Sequence, residues 1–237
     1  MGTIMPTTIT GTATRMITDT LAVSPADMAL LAAWGSPACP VGAFSYSHGL
    51  ERLEADGLMG DAAATQAAIE GVLRHGAGRV DAVLLAKAYG AADWRTVNTL
   101  ALALAPSAER RAETVVQGTS FAKLIDAVWP LSEPLSGGEV AHPVAFGVAG
   151  RGHGIALEPL CLSYLLAFSA NLVSAAVRLV PLGQTDGQRI TAALAGVAVE
   201  VTRAAIDAAE DDVGSAAIAL DIAAMRHETQ HVRLFRS

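Results

Sequence analysis

Residues 159–177 read PLCLSYLLAFSANLVSAAV, nineteen residues without a formal charge, either a membrane span or the core helix of a bundle. Its length is close to what a bilayer requires. Against a membrane span, Ser163, Tyr164, Ser169, Asn171 and Ser174 dilute the apolar run and Arg178 closes it; no second span and no flanking aromatic belt accompanies it. The stretch therefore reads as the buried central helix of a soluble protein.

Helical periodicity extends outward from it in both directions, Ala is abundant, and no alternating β-branched run insists on a strand. Downstream, PLGQTDGQ makes a turn in which Thr185 or Asp186 caps a helix striped by Ile190, Leu194, Val197 and Val201. A last helix carries its stripe at Ile218, Ile222 and Met225, extended weakly by Thr229 and Val232. Upstream, Asp61 caps a helix through Ile69, Val72 and Leu73 that stops near Gly76 and Gly78. A second follows through Val83 and Leu84 to Gly90, and Asp93 opens a third. Ser107 caps a long helix through Val115, Phe121, Ile125 and Val128 that Pro130 terminates. Between Trp129 and Gly154 the Gly- and Pro-rich sequence reads as a long irregular crossing. The expected architecture is all-α, a single-domain bundle of about eight to ten helices. It spans residues 26–237, behind a Thr-rich flexible arm at residues 1–25.

Composition narrows the function. A net charge of -7 and only 16 Lys and Arg give no footprint for nucleic acid. Cys39 and Cys161 are far apart and form neither a disulfide framework nor a Cys-rich zinc site, which fits a reducing cytoplasm. The arm has no basic residue before Arg15 and no apolar run, so it does not read as a secretory signal. GRGHG at residues 150–154 lacks the spacing of a nucleotide loop, no G-x-S-x-G elbow occurs, and Ser45 and Ser47 beside His48 do not define a triad.

His227, Glu228 and His231 spell H-E-x-x-H, a string that on a helix can grip zinc while its Glu activates water. A catalytic zinc needs a third protein ligand, and none of the six residues after His231 supplies one. At about 100° per residue, His227 and His231 fall opposite the Ile218, Ile222, Met225 stripe. The pair therefore faces away from the core and lies on solvent or a partner. A zinc hydrolase remains as a remote alternative, with His142 or His153 as a distant third ligand.

Three segments together resemble the UreF family of urease accessory proteins: SPACPVGAFSYSHGLE at 36–51, LVSAAVRLVPLGQTDGQ at 172–188 and MRHETQHVRLFRS at 225–237. PSAERRAETVVQGTSFAKL and HPVAFGVAGRGHGI add weaker agreement, so the likeness covers nearly everything after Ala26. The resemblance implies an all-α, non-enzymatic adaptor and dimerisation module that bridges UreD (also called UreH) and the GTPase UreG. That complex delivers nickel to apo-urease, and no cofactor or resident metal is expected. Cys39 departs from the family's usual apolar residue, and His231 stands where Tyr or another residue is common. Whether nickel touches Cys39 or His48 is left open by the sequence.

On physical grounds, Pro40 and Gly42 set a bend, Phe44 and Tyr46 supply amphipathic bulk and Glu51 a charge, a mixture suited to an interior corner or an interface. The tail from residue 226 offers Arg226, His227, Glu228, Arg233, Leu234, Phe235 and Arg236 as partner contacts. It reads as mobile when free and anchored through Phe235 and the Arg forks when docked. Arg178 and Gln184 are candidates to face a GTPase, since a supplied Arg or Gln can speed hydrolysis; the plainer role is to shape the end of the buried helix.

Overall fold

The computed structural model describes residues 23–237, which form ten α-helices and no strand. In chain order these are α1 (Pro25–Trp34), α2 (Leu50–Ala55), α3 (Ala62–His75), α4 (Ala77–Gly90) and α5 (Trp94–Ala103). They continue with α6 (Ala108–Val128), α7 (His142–Gly152), α8 (Leu157–Leu179), α9 (Gln184–Ile206) and α10 (Ile218–His227). The all-α expectation holds. Caps act where the sequence places them: Asp61 accepts from the Ala64 N–H at 2.8 Å, Asp93 from Arg95 at 3.0 Å and Ser107 from Arg110 at 3.2 Å.

The helix at 157–179 is the hub. Leu160, Cys161, Tyr164, Leu165, Leu172, Val173 and Ala176 form one buried stripe, and α8 packs against α9, α4, α7, α3, α2 and α1. Each such Leu contributes roughly 1.5–3 kcal/mol through burial. The helix is long and apolar enough to cross a membrane, yet half of its most apolar window is buried among the other helices. Beside it, Trp34 meets Phe121 and Phe146 edge-on, each at 5.6 Å, and these two stack at 5.2 Å.

Four expectations are corrected. The flexible arm was expected to reach residue 25, but Ser24 caps α1 by accepting from the Asp27 N–H at 3.1 Å and Pro25 is its first residue. Residues 1–22 lie outside the described residues. The crossing at 129–154 is not irregular throughout, because α7 occupies its second half. Its glycines are spacers rather than breakers: a Cβ on Gly147 would stand 2.5 Å from the Leu85 carbonyl oxygen of α4. The intrinsic helix cost of glycine, about 1 kcal/mol, is offset by the close approach of two buried helices. The turn before α9 is shorter than expected, so Thr185 and Asp186 lie inside the first turn and Gly183 is the cap residue.

The fourth correction concerns α10. Its apolar stripe faces out, with Ile218 70%, Ile222 48% and Met225 48% exposed, while Ala223, Ala224 and His227 face in. Small residues win the inner face because α10 closes against α2 at short range. The backbone of Ala224 comes so near Gly49 that a Cβ there would lie 2.9 Å from its nitrogen, and Gly49 also holds φ +79°.

Candidate functional site

The inversion of α10 brings the two most distinctive sequence segments together. His227 is fully buried, its ring nitrogens 2.9 Å from Glu51 Oε2 and 2.7 Å from Glu109 Oε2. The expectation that this histidine faces solvent or a partner is therefore wrong: the ring sits between carboxylates of α2 and α6. α10 ends at His227, so the string H-E-x-x-H does not lie on one helix, and His231 is exposed beyond it. Glu228 has a structural task as well. Its Oε1 accepts from the backbone N–H of Ala108 at 2.7 Å and of Glu109 at 3.4 Å, capping α6 from across the fold. Among the described residues no group of three or more His, Cys, Asp or Glu is arranged to hold a metal ion.

The tail, expected to be mobile, lies folded along the same surface. Glu51 accepts from the backbone N–H of Leu234 at 2.6 Å and of Phe235 at 3.0 Å, and Arg233 pairs with Glu109 at 2.5 Å. Arg236 N–H donates to the Ser45 carbonyl at 2.8 Å, and Ser47 N–H to the Ser237 carbonyl at 2.8 Å. Phe235 is buried, and Ser237 Oγ reaches Glu113 at 2.9 Å. Arg226 turns away to pair with Asp56 at 2.9 Å.

Beneath the tail runs a second, interior layer of charge. Arg110 pairs with Glu113 and lies 3.0 Å from His48 Nε2, while Gln117 donates to Glu113 at 3.0 Å and His48 Nε2 stands 2.9 Å from the same carboxylate. Burial alone would raise the Glu113 carboxyl, but Arg110 and His48 overcome it and hold the group at about 2. Burial and Arg110 lower His48, with Glu113 opposing them. Asp81, which accepts from the Tyr164 hydroxyl at 2.8 Å, is raised by burial to about 6 in spite of Arg110 and that bond. Burial lowers the His142 imidazole to about 4.

The loop before α2 carries the remaining expected residues. Gly42 adopts φ +77° to start a single 3-10 turn at Ala43–Ser45. Phe44 stands 66% exposed at its tip, whereas Tyr46 turns inward and is buried. Pro40 is exposed, and Cys39, Pro40 and Phe44 border a cavity of about 170 Å³ that Trp34, His142 and Phe168 also line. Cys39 is a buried thiol whose pKa burial raises, as is Cys161, raised to about 12. Arg178 donates to the Phe44 carbonyl at 2.8 Å, and its guanidinium covers the Phe235 ring at 4.4 Å. Gln184 is exposed at the first turn of α9, away from these contacts. Outward, the loop and tail thus show Phe44, Val232, 82% exposed, and Leu234, 72% exposed, beside exposed Arg233 and Arg236.

Sequence reasoning passed over Glu109, Arg110, Glu113 and Gln117. A signal was present: Arg110, Glu113 and Gln117 continue, at helical spacing, the stripe that Phe121 and Ile125 bury, so polar residues occupy an inward face.

Comparison with known proteins places the chain in a family. A family model described as UreF matches residues 59–195. The urease accessory protein UreF of Roseobacter denitrificans is 49% identical over 209 residues, 87% of this chain and 92% of that protein. That of Cereibacter sphaeroides is 47% identical over 207 residues, 87% of this chain and 97% of the relative. That of a Methylobacterium strain is 47% identical over 219 residues, covering 88% of each. At this identity over nearly the whole length of both partners, the chain belongs to the UreF family of urease accessory proteins.

Proposed function

We propose that this chain is a non-enzymatic, cytoplasmic adaptor that bridges UreD and the GTPase UreG, pairs with a second copy, and so serves delivery of nickel to apo-urease. The observation that carries the reading is the composite outer face made by the loop and the tail. Phe44 and Leu234 are exposed although their backbone is fixed, the Phe44 carbonyl by Arg178 and the Leu234 N–H by Glu51, and exposed Val232 lies two residues before Leu234. Exposed apolar side chains on an ordered backbone, with arginines beside them, have the makeup of an interface anchor, because little entropy is lost when a partner covers them. Gly42, Tyr46 and Glu51 shape this face from within, exposed Pro40 borders it, and Arg226, His227 and Glu228 fix where the tail begins.

Co-purification of the chain with UreD and UreG, followed by mass and metal analysis of the complex, tests the assignment. Deleting Arg233–Ser237 is expected to abolish capture of UreD while helical circular dichroism persists; undiminished capture would overturn the reading.

A second reading makes the chain a direct regulator of the UreG GTPase, through Arg178 or Gln184. Gln184 is exposed and free to reach outward. Arg178 spends its donors on the carbonyls of Phe44 and Ser174, which a finger role would require it to leave. UreG turnover measured with and without this chain separates the readings, since a pure adaptor leaves the rate unchanged.

A further inference from the structure

We infer that Arg178 is a positioning residue that makes the Phe44 loop and the 233–236 tail order as one unit. It projects from the last turn of α8, the hub helix of the fold, and its stem is fixed by Nε donating to the Ser174 carbonyl at 3.1 Å. From there one guanidinium does two things at once. Nη2 donates to the Phe44 carbonyl at 2.8 Å, and the group covers the Phe235 ring at 4.4 Å. A guanidinium can do both because it is flat, with donors at its rim and a weakly hydrated face; a lysine ammonium cannot.

The backbone bonds from Arg236 to Ser45 and from Ser47 to Ser237 join the same two segments along one edge, and Arg178 closes them on the other. Removal of the Phe235 ring takes away the contact that keeps the guanidinium aimed at Phe44, and release of the Phe44 carbonyl frees it from the ring. Coupling of this kind is reciprocal, so a ligand that grips Phe44 tightens the tail and one that grips Leu234 tightens the loop. This extends the adaptor reading by giving the two halves of its outer face a shared order.

Amide hydrogen exchange on the full chain, without any partner, tests it. Phe235→Leu, which keeps an apolar anchor but removes the ring, is expected to raise exchange at residues 43–46 about fivefold when Arg178 is present. It is expected to have no such effect in an Arg178→Ala background. The proposal is overturned if Phe235→Leu leaves the loop unchanged beside Arg178, or loosens it equally in both backgrounds. Arg178→Lys provides a milder variant: it should loosen both segments while α3 and α4 keep their protection, and wild-type exchange at both segments would sink the idea. Capture of UreD or UreG is measured separately. A chain that shows the coupling but captures neither partner defeats the adaptor reading and leaves the role of Arg178 standing.

Discussion

Glu51 and His227 lie 176 residues apart in the chain and 2.9 Å apart in space, and the same Glu51 carboxylate receives two backbone N–H groups of the tail. Three donors on one buried carboxylate make Glu51 the centre of the latch that fixes the tail.

Replacement of Glu51 should therefore act at a distance in sequence. Glu51→Ala leaves His227 Nε2 and the N–H groups of Leu234 and Phe235 without their acceptor while His227 Nδ1 keeps Glu109, a cost of about 1–3 kcal/mol for buried polar groups left unpaired. Urea denaturation should show this loss, and exchange at residues 233–236 should rise before global unfolding. A tail as protected as in the parent would refute the latch.

Close packing of α7 on α4 gives a second expectation. Gly147→Ala places a methyl group against the Leu85 carbonyl oxygen, at 2.5 Å from the new Cβ. It should destabilise by roughly 1–3 kcal/mol, as overpacking in cores does, even though alanine is the better helix former. A rise in melting temperature would show that α7 has room to move.

The buried charges predict a direction for pH. Glu113 is held at about 2 against an ordinary 4.5, so the unfolded chain binds the proton more readily. The stability it contributes is present above pH 4.5 and lost as pH falls toward 2, by up to about 3 kcal/mol. His142, lowered by burial to about 4, adds a loss as pH falls from 6.5 to 4. Asp81 runs the other way, since its raised carboxyl favours the fold below pH 3.8 and that contribution is lost as pH rises through 6. Chemical denaturation from pH 3 to 8 should show a smaller acid loss in Glu113→Gln than in the parent, once its lower stability at neutral pH is subtracted. An equal slope would argue against the Arg110 pairing.

Glu228 offers a test that separates cap from catalyst. Glu228→Ala should cost about 1 kcal/mol as a lost helix cap, and a chelator should leave the melting temperature of the parent unchanged. Stoichiometric zinc in the purified chain, or a melting point lowered by chelation, would contradict this assignment.

Much of the fold was legible because local rules and burial agreed: Asp61, Asp93 and Ser107 cap the helices they precede, and the stripe Ile190, Leu194, Val197, Val201 is buried as its period demands. Legibility failed where tertiary contact reversed a local preference. Glycines at 147 and 150 normally interrupt helices, and only the nearness of α4 and Leu160 reveals them as spacers. The stripe of α10 pointed to the wrong face because Ala223, Ala224 and a doubly bridged His227 outcompete Ile218 and Ile222 for the interior. The sequence marks Glu51, His227 and Phe235 as partner contacts, with an interior corner left open for Glu51. Their shared network depends on Glu109 and Glu113, whose inward turn no single-helix pattern could display.

The long reach of the latch also bears on how the chain is made. Residues 227–237 are synthesised after every helix they fasten, and until they arrive the carboxylates of Glu51, Glu109 and Glu113 lack part of their partners. α6 likewise waits for Glu228 to cap its first turn. A nascent chain can pack α3, α4, α7, α8 and α9 while still on the ribosome, but contacts of such sequence separation close late. The face formed by Phe44 and Leu234 thus takes shape only after residues 233–237 have been made, later than the helical core beneath it.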